Sequence, residues 1–322
     1  MYGPTAGPLA HPLTKPYSIF TEERKFGYSD IRYGHFLRYE TNYPTLPCEP
    51  RLHTPHTRPN LELRHRLATQ MELWESSLSP AFKYKLNEES CNIAEMTYGH
   101  TSTDHQYFIA LFTACTIYAD DHCACDPEPV GQFAERFAHG ERQLDPVLDC
   151  LADHIKTAYE FWPAIGATAI ISSTLDFMTA VYVENTKAIT PTPLAPRFPY
   201  YFRSLSGLSP SYAYFIFPKS WRTGINSYLQ LIPELCFTLN CANDVLSFYK
   251  ECVAGETDNY INLCATAEQK TPTAVLRDLA NEVADTIRRV EALAAGDGEL
   301  AVFCYKFFMA SSCFWQNFAD RF

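Results

Sequence analysis

From residue 60 onward, the 322-residue chain is a series of segments whose apolar residues recur with the period of an α-helix. No segment shows the alternation of a half-buried strand, and the sequence contains neither a G-x-G-x-x-G motif nor an internal repeat. Pro233 predicts a kink or a fresh helix start inside 223–252. The first helix is expected in NLELRHRLATQMELWESSL, and further helices are expected at 87–98, 104–120, 144–160, 162–186, 198–207, 223–252, 271–296 and 298–319. We therefore predict an all-α domain of roughly ten helices, in which a pocket between helices is the natural ligand site.

Residues 1–60 differ from the rest of the chain, because they are rich in Pro and Tyr and lack a helical period. This composition predicts an extended or partly irregular N-terminal arm. The segment 61–322 is then expected to form a single domain. A hydrophobic content of 47% is ample for its buried core.

Charge and composition exclude several classes of protein. A net charge of -11 argues against a nucleic-acid partner, although an acidic protein can bind an anionic substrate through intervening metal ions. Twelve cysteines without framework spacing, and an N-terminus without an apolar core, indicate reduced thiols and a cytosolic protein. No membrane span is expected, because the most apolar segment, AIGATAIISSTLDFMTAVYV, is interrupted by Ser172, Ser173, Thr174 and Asp176 and indicates a buried helix.

The segment NDVLSFYKE places three oxygen-bearing side chains four residues apart, at Asn243, Ser247 and Glu251. Positions i, i+4 and i+8 advance by about 40° each around a helix, so the three side chains form one stripe. Oxygen ligands of this kind suit a hard cation such as Mg²⁺. Lys250 lies on nearly the same face, where it can meet an anion held by the metal. The alternative is an ordinary amphipathic helix with a polar stripe.

A second acidic element, Asp120-Asp121, follows an apolar helix in FIALFTACTIYADDHCACDPEP. Pro127 and Pro129 are expected to force a loop after it. Adjacent carboxylates are costly to bury without a counter-ion, and at a helix C-terminus the dipole also disfavours them. They are therefore either a solvated helix end or, if they face the stripe on the other helix, ligands for Mg²⁺ ions around a diphosphate.

Basic residues in three segments could complete such a site. Arg203 lies in YYFRSLSGLS, Lys250 lies within the stripe, and Arg321 lies near the chain end. Arg197, in APRFPYY, is a weaker candidate for the task of Arg203. Each of them, taken alone, is also explained as a surface charge.

The sequence offers little support for two other kinds of site. Zinc could bind at His122, Cys123, Cys125 and Asp126, but no second cysteine pair has the spacing of a structural zinc site. Nucleophilic catalysis by serine or cysteine is disfavoured, because no nucleophile-elbow motif is present.

NDVLSFYKE resembles the N-D-x-x-S-x-x-K-E magnesium motif of class I terpene synthases, and most closely that of the fungal trichodiene synthase family. The segments STLDF, FRSLSGLS followed by FPKSW, and FMASSCFWQNFADRF are similar to family segments in the same order. The resemblance covers roughly residues 60–322. It implies an all-α class I terpenoid synthase fold with a central cavity, and an enzyme that uses three Mg²⁺ to ionise farnesyl diphosphate and cyclises the cation.

The resemblance also implies roles for particular residues. Asp120, with Asp121 beside it, is expected to bind metal from one side of the site. The other metal ligands are expected to be Asn243, Ser247 and Glu251, and the residues that hydrogen-bond the diphosphate are expected to be Arg203, Lys250 and Arg321.

A carbocation also needs a pocket that excludes water and presents the negative faces of aromatic rings. Aromatic residues make up 14% of the chain, and most of them are expected to be plain core. Helix phase alone selects six candidates for the pocket lining: Phe112, Tyr118, Phe177, Tyr182, Phe237 and Trp315.

The sequence departs from the family pattern at two places. In DDHCACD the third acid, Asp126, comes two positions late for D-D-x-x-D, and Arg321-Phe322 replaces an Arg-Tyr pair. Because a terminal carboxylate at Phe322 would repel a diphosphate beside Arg321, the natural chain is expected to continue past this residue. A chain-elongating prenyltransferase and a non-catalytic prenyl-diphosphate binder stay open as alternatives. The product, hydrocarbon or alcohol, is not specified, and a homodimer stays open.

Overall fold

The structure, a computed structural model, describes residues 59–74, 78–187, 189–222 and 224–319, with side chains up to residue 309. These residues belong to one compact unit spanning 54–322. The described residues form thirteen α-helices and one 3₁₀ helix, and contain no strand, so the prediction of an all-α fold is confirmed. Most of the N-terminal arm lies outside the described residues, and the boundary at residue 60 stays a prediction.

In chain order the α-helices are α1 Leu61–Glu72, α2 Pro80–Tyr98, α3 Thr103–Cys123, α4 Glu128–His139, α5 Pro146–Lys156, α6 Ala158–Phe161, α7 Ala164–Thr186, α8 Phe198–Ser206, α9 Ser209–Phe215, α10 Leu231–Ala254, α11 Tyr260–Glu268, α12 Pro272–Ala294 and α13 Gly298–Ala319. The 3₁₀ helix, Ile225–Ser227, lies between α9 and α10.

Capping side chains explain where several helices begin. The α2 helix starts well before the predicted residue 87, because the Oγ of Ser79 accepts a hydrogen bond from the backbone N–H of Phe82 (3.2 Å) and Pro80 occupies the first turn. The same pairing of a cap with a following proline starts α5, where Oδ1 of Asp145 accepts from the N–H of Val147 at 2.7 Å. Serine and aspartate before proline are therefore the local signals for these two helix starts.

Three helices were missed by the sequence analysis, and one predicted helix is divided. The loop expected from Pro127 and Pro129 is short, because Pro129 lies in the first turn of α4, where a proline is tolerated. The short α9 follows Leu208, whose φ of +50° turns the chain after α8, and α11 is capped by Asn259. The predicted helix 144–160 is divided into α5 and α6 at Thr157.

Six helices contact one another in a closed circuit, which runs α2, α3, α7, α9, α10, α13 and back to α2. The helices α1 and α5 pack on α3, α4 packs on α7, and α12 packs on α10. A large hydrophobic cluster includes most of the buried apolar residues of α3 and α7, and a smaller one joins α10 to α11 and α12. This circuit places α3, α7 and α10, which carry acidic residues of interest, in one connected assembly with α8.

The α7 helix is long and apolar enough, by length and composition, to cross a membrane, and it is the one such helix among the described residues. Half of its most apolar stretch is buried within the protein, and it packs against α3, α4, α8 and α9. One helix of this kind is weak evidence for a membrane span. Its packing agrees with the prediction of a buried helix.

Candidate active site

The centre of the candidate site is an ion pair between α8 and α10. The Nε of Arg203, in the last turn of α8, lies 2.9 Å from each carboxylate oxygen of Asp244 in α10. Only 17% of the Arg203 side chain and 12% of the Asp244 side chain are exposed. Burial lowers the pKa of Arg203, but the nearby Asp244 carboxylate more than offsets this, so the pKa of Arg203 is raised overall.

A second nitrogen of the same guanidinium is also held by α10. The Nη2 of Arg203 donates to Oδ1 of Asn243 at 3.2 Å and to the backbone carbonyl of Asn240 at 3.4 Å. Its third nitrogen, Nη1, makes no hydrogen bond with the residues that the structure describes. Arg203 therefore has one nitrogen left with which to bind a ligand.

Carboxylates from three helices share the positive charge of Arg203. Glu184 in α7 is exposed to solvent, yet the surrounding protein and the charge of Asp120 raise its pKa to about 7, against the effect of Arg203. Burial also raises the pKa of Glu251 in α10, again against the effect of Arg203. Since one guanidinium serves Asp120, Glu184, Asp244 and Glu251, the site carries an excess of negative charge that a bound cation would relieve.

The two adjacent aspartates lie in the last turn of α3, since the helix continues to Cys123 and does not end at residue 120 as expected. Asp120 is exposed to solvent, yet surrounding protein and the charge of Asp121 raise its pKa to about 6, against the effect of Arg203. Burial likewise raises the pKa of Asp121, and Lys85 opposes that rise. A side chain that is both exposed and partly desolvated is typical of a cleft wall, so these acids suit the mouth of a site.

The predicted stripe on α10 is present, and Asn243, Ser247 and Glu251 are all half-buried on that helix. The Oγ atom of Ser247 is buried and has no hydrogen-bond partner of normal geometry among the described residues. It nevertheless lies near enough to Glu251 to moderate the rise in the pKa of that carboxyl group. A buried hydroxyl without a partner, beside a carboxyl group whose pKa is raised, fits an oxygen-liganded cation such as Mg²⁺.

The structure supports a zinc site at His122, Cys123, Cys125 and Asp126 less well than a metal site at the α10 stripe. No group of three His, Cys, Asp or Glu side chains within the described ranges is arranged to hold a metal ion. Cys123 is buried and its Sγ lies 3.8 Å from the carbonyl oxygen of Val181, and Oδ1 of Asp126 accepts a hydrogen bond from the N–H of Glu128 at 3.4 Å. His122 stacks on a neighbouring tyrosine, and Cys125 is exposed. The α10 stripe is the better metal candidate because its oxygens include an unsatisfied one.

Two of the predicted pocket aromatics lie on suitable helix faces. Phe112 is two turns before Asp120 on α3 and is fully buried, with its ring edge-on to that of Tyr212 in α9 at 6.0 Å. Phe177 is two turns before Glu184 on α7 and is also buried. Seven positions place Phe177 within about 20° of Glu184 around the helix, and eight positions place Phe112 about 80° from Asp120, so both rings stay candidates for the pocket lining.

The three other predicted aromatics whose side chains are described contact other parts of the fold. The hydroxyl of Tyr118 donates to Oδ2 of Asp145 at 2.7 Å, towards α5. The ring of Tyr182 packs over Gly131 of α4, where an added Cβ would lie 2.7 Å from the ring. Phe237 joins the smaller hydrophobic cluster between α10 and its neighbours α11 and α12. Helix phase alone does not decide whether these rings line the pocket, because α3, α7 and α10 are packed on several sides at once, and their place in the lining stays a prediction.

The remaining predicted residues are Lys250, Arg197, Trp315 and Arg321. Lys250 is half-buried next to Glu251 and opposes the rise in the pKa of that carboxyl group. Arg197 is exposed at the opposite end of α8 from Arg203. The side chain of Trp315 and the whole of Arg321 lie outside the described residues, so both stay predictions.

Sequence analysis missed three residues of this region. Asp244 lies inside the quoted motif, but its pairing with Arg203 depends on the packing of α8 on α10. Glu184 could have been found from its seven-residue spacing after Phe177. Tyr212 is half-buried and its hydroxyl lies 3.1 Å from Oγ1 of Thr113, which precedes Asp120 by seven residues.

The helical circuit, with acidic and oxygen-bearing faces on α3 and α10, is the class I terpenoid synthase fold. Among solved structures, linalool/nerolidol synthase from Streptomyces clavuligerus, in complex with 2-fluorogeranyl diphosphate, aligns with a TM-score of 0.59 at 11% identity, over 80% of this chain and 98% of that one. Aristolochene synthase from Penicillium roqueforti aligns with a TM-score of 0.53 at 13% identity, over 88% and 98%. At these identities the likeness concerns the fold.

The chain belongs to the trichodiene synthase family, because the family profile described as "Trichodiene synthase (TRI5)" matches residues 86–321. The α-cuprenene synthase COP6 of Coprinopsis cinerea is 30% identical over 305 residues, which are 91% of this chain and 90% of that protein. The terpene synthase BipA of Cochliobolus sativus is 37% identical over 188 residues, and the match spans only 58% of each protein.

Proposed function

We propose that this protein is a Mg²⁺-dependent sesquiterpene synthase that ionises farnesyl diphosphate and cyclises the allylic cation, with release of diphosphate. The observation that carries the proposal is the environment of Arg203. Its Nε and Nη2 are held by α10, its Nη1 is left for a ligand, and four carboxylates from three helices share its charge. A site of this kind suits an anion that arrives together with divalent cations.

The residues that would hold Mg²⁺ are those whose charge or hydrogen bonding is incomplete. They lie on two helices of the circuit: Asp120 and Asp121 on α3, and Asn243, Ser247 and Glu251 on α10. The chemistry supplied by the bound metal is neutralisation of the diphosphate charge, which favours breakage of the bond to the allylic carbon. Three ions are expected from the family.

Arg203 would donate from Nη1 to a diphosphate oxygen, and its charge would stabilise the negative charge that develops as the leaving group departs. Lys250 and Arg321 are proposed to assist from α10 and from the chain end. Phe112, Phe177 and Tyr212 are proposed to enclose the hydrocarbon, exclude water and face the cation with their rings. These roles assign the reaction to two zones, a polar mouth and an aromatic interior.

The relatives support a prenyl diphosphate as the substrate class. The family match covers most of the chain, and COP6 is named as an α-cuprenene synthase. The solved linalool/nerolidol synthase holds a fluorinated geranyl diphosphate. We assign a C15 substrate to this chain on the resemblance of its ordered segments to trichodiene synthases. The compartment is proposed to be the cytoplasm.

The test is to incubate the purified protein separately with geranyl, farnesyl and geranylgeranyl diphosphate and Mg²⁺, and to identify products by gas chromatography and mass spectrometry. We expect cyclic C15 products from farnesyl diphosphate alone, and none in EDTA. Products that require added isopentenyl diphosphate would identify a chain-elongating enzyme. Binding without any product would identify a prenyl-diphosphate binder, and either result would overturn the proposal.

A further inference from the structure

The orientation of Arg203 is fixed almost entirely by α10. A guanidinium group is planar and rigid, so holding two of its nitrogens determines where the third one points. Asp244 takes Nε with both carboxylate oxygens at 2.9 Å, and Nη2 reaches Asn243 and the backbone of Asn240. Of these groups, Asp244 alone brings a full opposite charge.

Asp244 itself is committed to Arg203. It is 9% exposed, and both of its carboxylate oxygens lie 2.9 Å from Nε of Arg203. One residue before it, Asn243 belongs to the oxygen stripe. On a helix the two side chains diverge by about 100°, so Asp244 points towards α8 while Asn243 belongs with Ser247 and Glu251.

We infer that Asp244 is the positioning residue of the site: it holds Nε of Arg203 so that Nη1 is aimed at the diphosphate of the substrate. This inference rests on the proposed function, since it assumes that Arg203 binds the diphosphate. A carboxylate at this position removes the need for Arg203 to order itself when the ligand arrives.

The same contact extends to the metal stripe. Nη2 of Arg203 donates to Oδ1 of Asn243, which orients that amide and occupies one lone pair of its oxygen. The other lone pair is left for a cation. Asp244 therefore acts through Arg203 on both the anion and the metal, whereas a carboxylate with a merely structural role would affect stability alone.

The structure provides a matched control in a second buried ion pair. Oε2 of Glu95 accepts from Nη2 of Arg64 at 2.9 Å, and their side chains are 9% and 10% exposed. This pair joins α1 to α2. Glu95→Gln therefore removes a comparable buried charge without touching Arg203.

The experiment measures the affinity of the full chain for inorganic diphosphate by calorimetry, at fixed Mg²⁺, for the wild type and for Asp244→Asn, Arg203→Gln, the double variant and Glu95→Gln. We expect Asp244→Asn to weaken binding at least about tenfold, and Glu95→Gln to change it less than about twofold. In the Arg203→Gln background, Asp244→Asn should have little further effect, because it acts through the missing arginine.

Wild-type affinity in folded Asp244→Asn would overturn the inference. So would a double variant whose loss of affinity is the product of the losses in the two single variants. If Arg203→Gln binds diphosphate as tightly as the wild type, the role proposed for Arg203 fails instead. If circular dichroism shows that Asp244→Asn is unfolded, Asp244→Glu takes its place, because it keeps the charge and moves the carboxylate. We then expect weaker binding at an unchanged melting temperature, and wild-type affinity would contradict the inference.

Discussion

A Cβ atom added to Gly207 would lie 2.0 Å from Oδ1 of Asn240, closer than any two such atoms can approach. Gly207 ends α8 with an ordinary φ of -84°, so the glycine is required by the close approach and not by its backbone conformation. The same Cβ would lie 3.0 Å from Nη1 of Arg203. Asn240 is 2% exposed, and its Oδ1 has no hydrogen-bond partner among the described residues.

Gly207→Ala is therefore expected to push α8 away from α10, and so to disturb Arg203. We expect a loss of about 1–3 kcal/mol in the free energy of unfolding, as for other overpacked sites, together with weaker diphosphate binding. Asn240→Ala should restore much of both in the double variant, because it removes the colliding amide. Urea unfolding measures the first effect. The close contact would be contradicted if Gly207→Ala left the free energy of unfolding unchanged. It would also be contradicted if the double variant were no more stable than Gly207→Ala alone.

Glu251→Gln tests the metal stripe. The amide keeps the shape of the side chain but lacks the charge that attracts a cation, so we expect at least a tenfold fall in kcat/KM, or about 1.4 kcal/mol. The melting temperature without metal should be unchanged. Glu256→Gln, in the exposed loop just after α10, is the control and should retain activity. Full activity of Glu251→Gln, or of the wild type in EDTA, would remove the stripe from the mechanism.

Asp120 is expected to matter more than Asp126. Asp120 faces the site and feels the charge of Arg203, whereas the Asp126 side chain is exposed and accepts a hydrogen bond at the start of α4. Asp120→Asn should therefore lower activity or raise the share of aberrant products, and Asp126→Asn should do much less. A side-by-side product assay measures both variants. The opposite ranking would show that the third acid of the motif is the ligand.

The raised pKa of Glu184 predicts how stability depends on pH. A carboxyl group whose pKa is about 7 in the folded state and near 4.3 unfolded keeps its proton longer when folded, so it destabilises the metal-free protein as pH rises through that window. Glu184→Gln removes this effect. We therefore expect the variant to gain melting temperature relative to the wild type at pH 7.5, but to gain little at pH 4.5.

Melting scans at both pH values, without metal and with Mg²⁺, measure the effect. Added Mg²⁺ should stabilise the wild type more at pH 7.5 than at pH 5, since protons and cations compete for the same carboxylates. An equal difference between variant and wild type at both pH values would show that Glu184 is not held in its neutral form.

The helix period was sufficient to predict α7, α8 and α13 to within two residues, because each is a long or well-bounded segment with a clear pattern. It failed at α4, where Pro127 and Pro129 suggested a loop, and at α9 and α11, which are too short to show a period. The helix period thus predicts the long helices, whereas caps and prolines determine where the short ones lie.

The sequence alone was sufficient to predict site residues only where the geometry of a single helix places them. The spacing of Asn243, Ser247 and Glu251 fixes them on one face whatever the tertiary structure. The pairing of Arg203 with Asp244 spans 41 residues and depends on how α8 packs on α10, which no local pattern encodes. Aromatic residues on helices that are buried all round could not be assigned to the pocket by phase alone.

The most direct measurement is the release of diphosphate from farnesyl diphosphate, followed as a function of Mg²⁺ for the wild type and Arg203→Gln. Loss of a charged donor to the leaving group is expected to slow release by at least about tenfold. We predict release by the wild type only when Mg²⁺ is present, and a reduced rate in a folded Arg203→Gln variant at every metal concentration. No release by the wild type at any Mg²⁺ concentration, or an equal rate in the variant, would contradict the account.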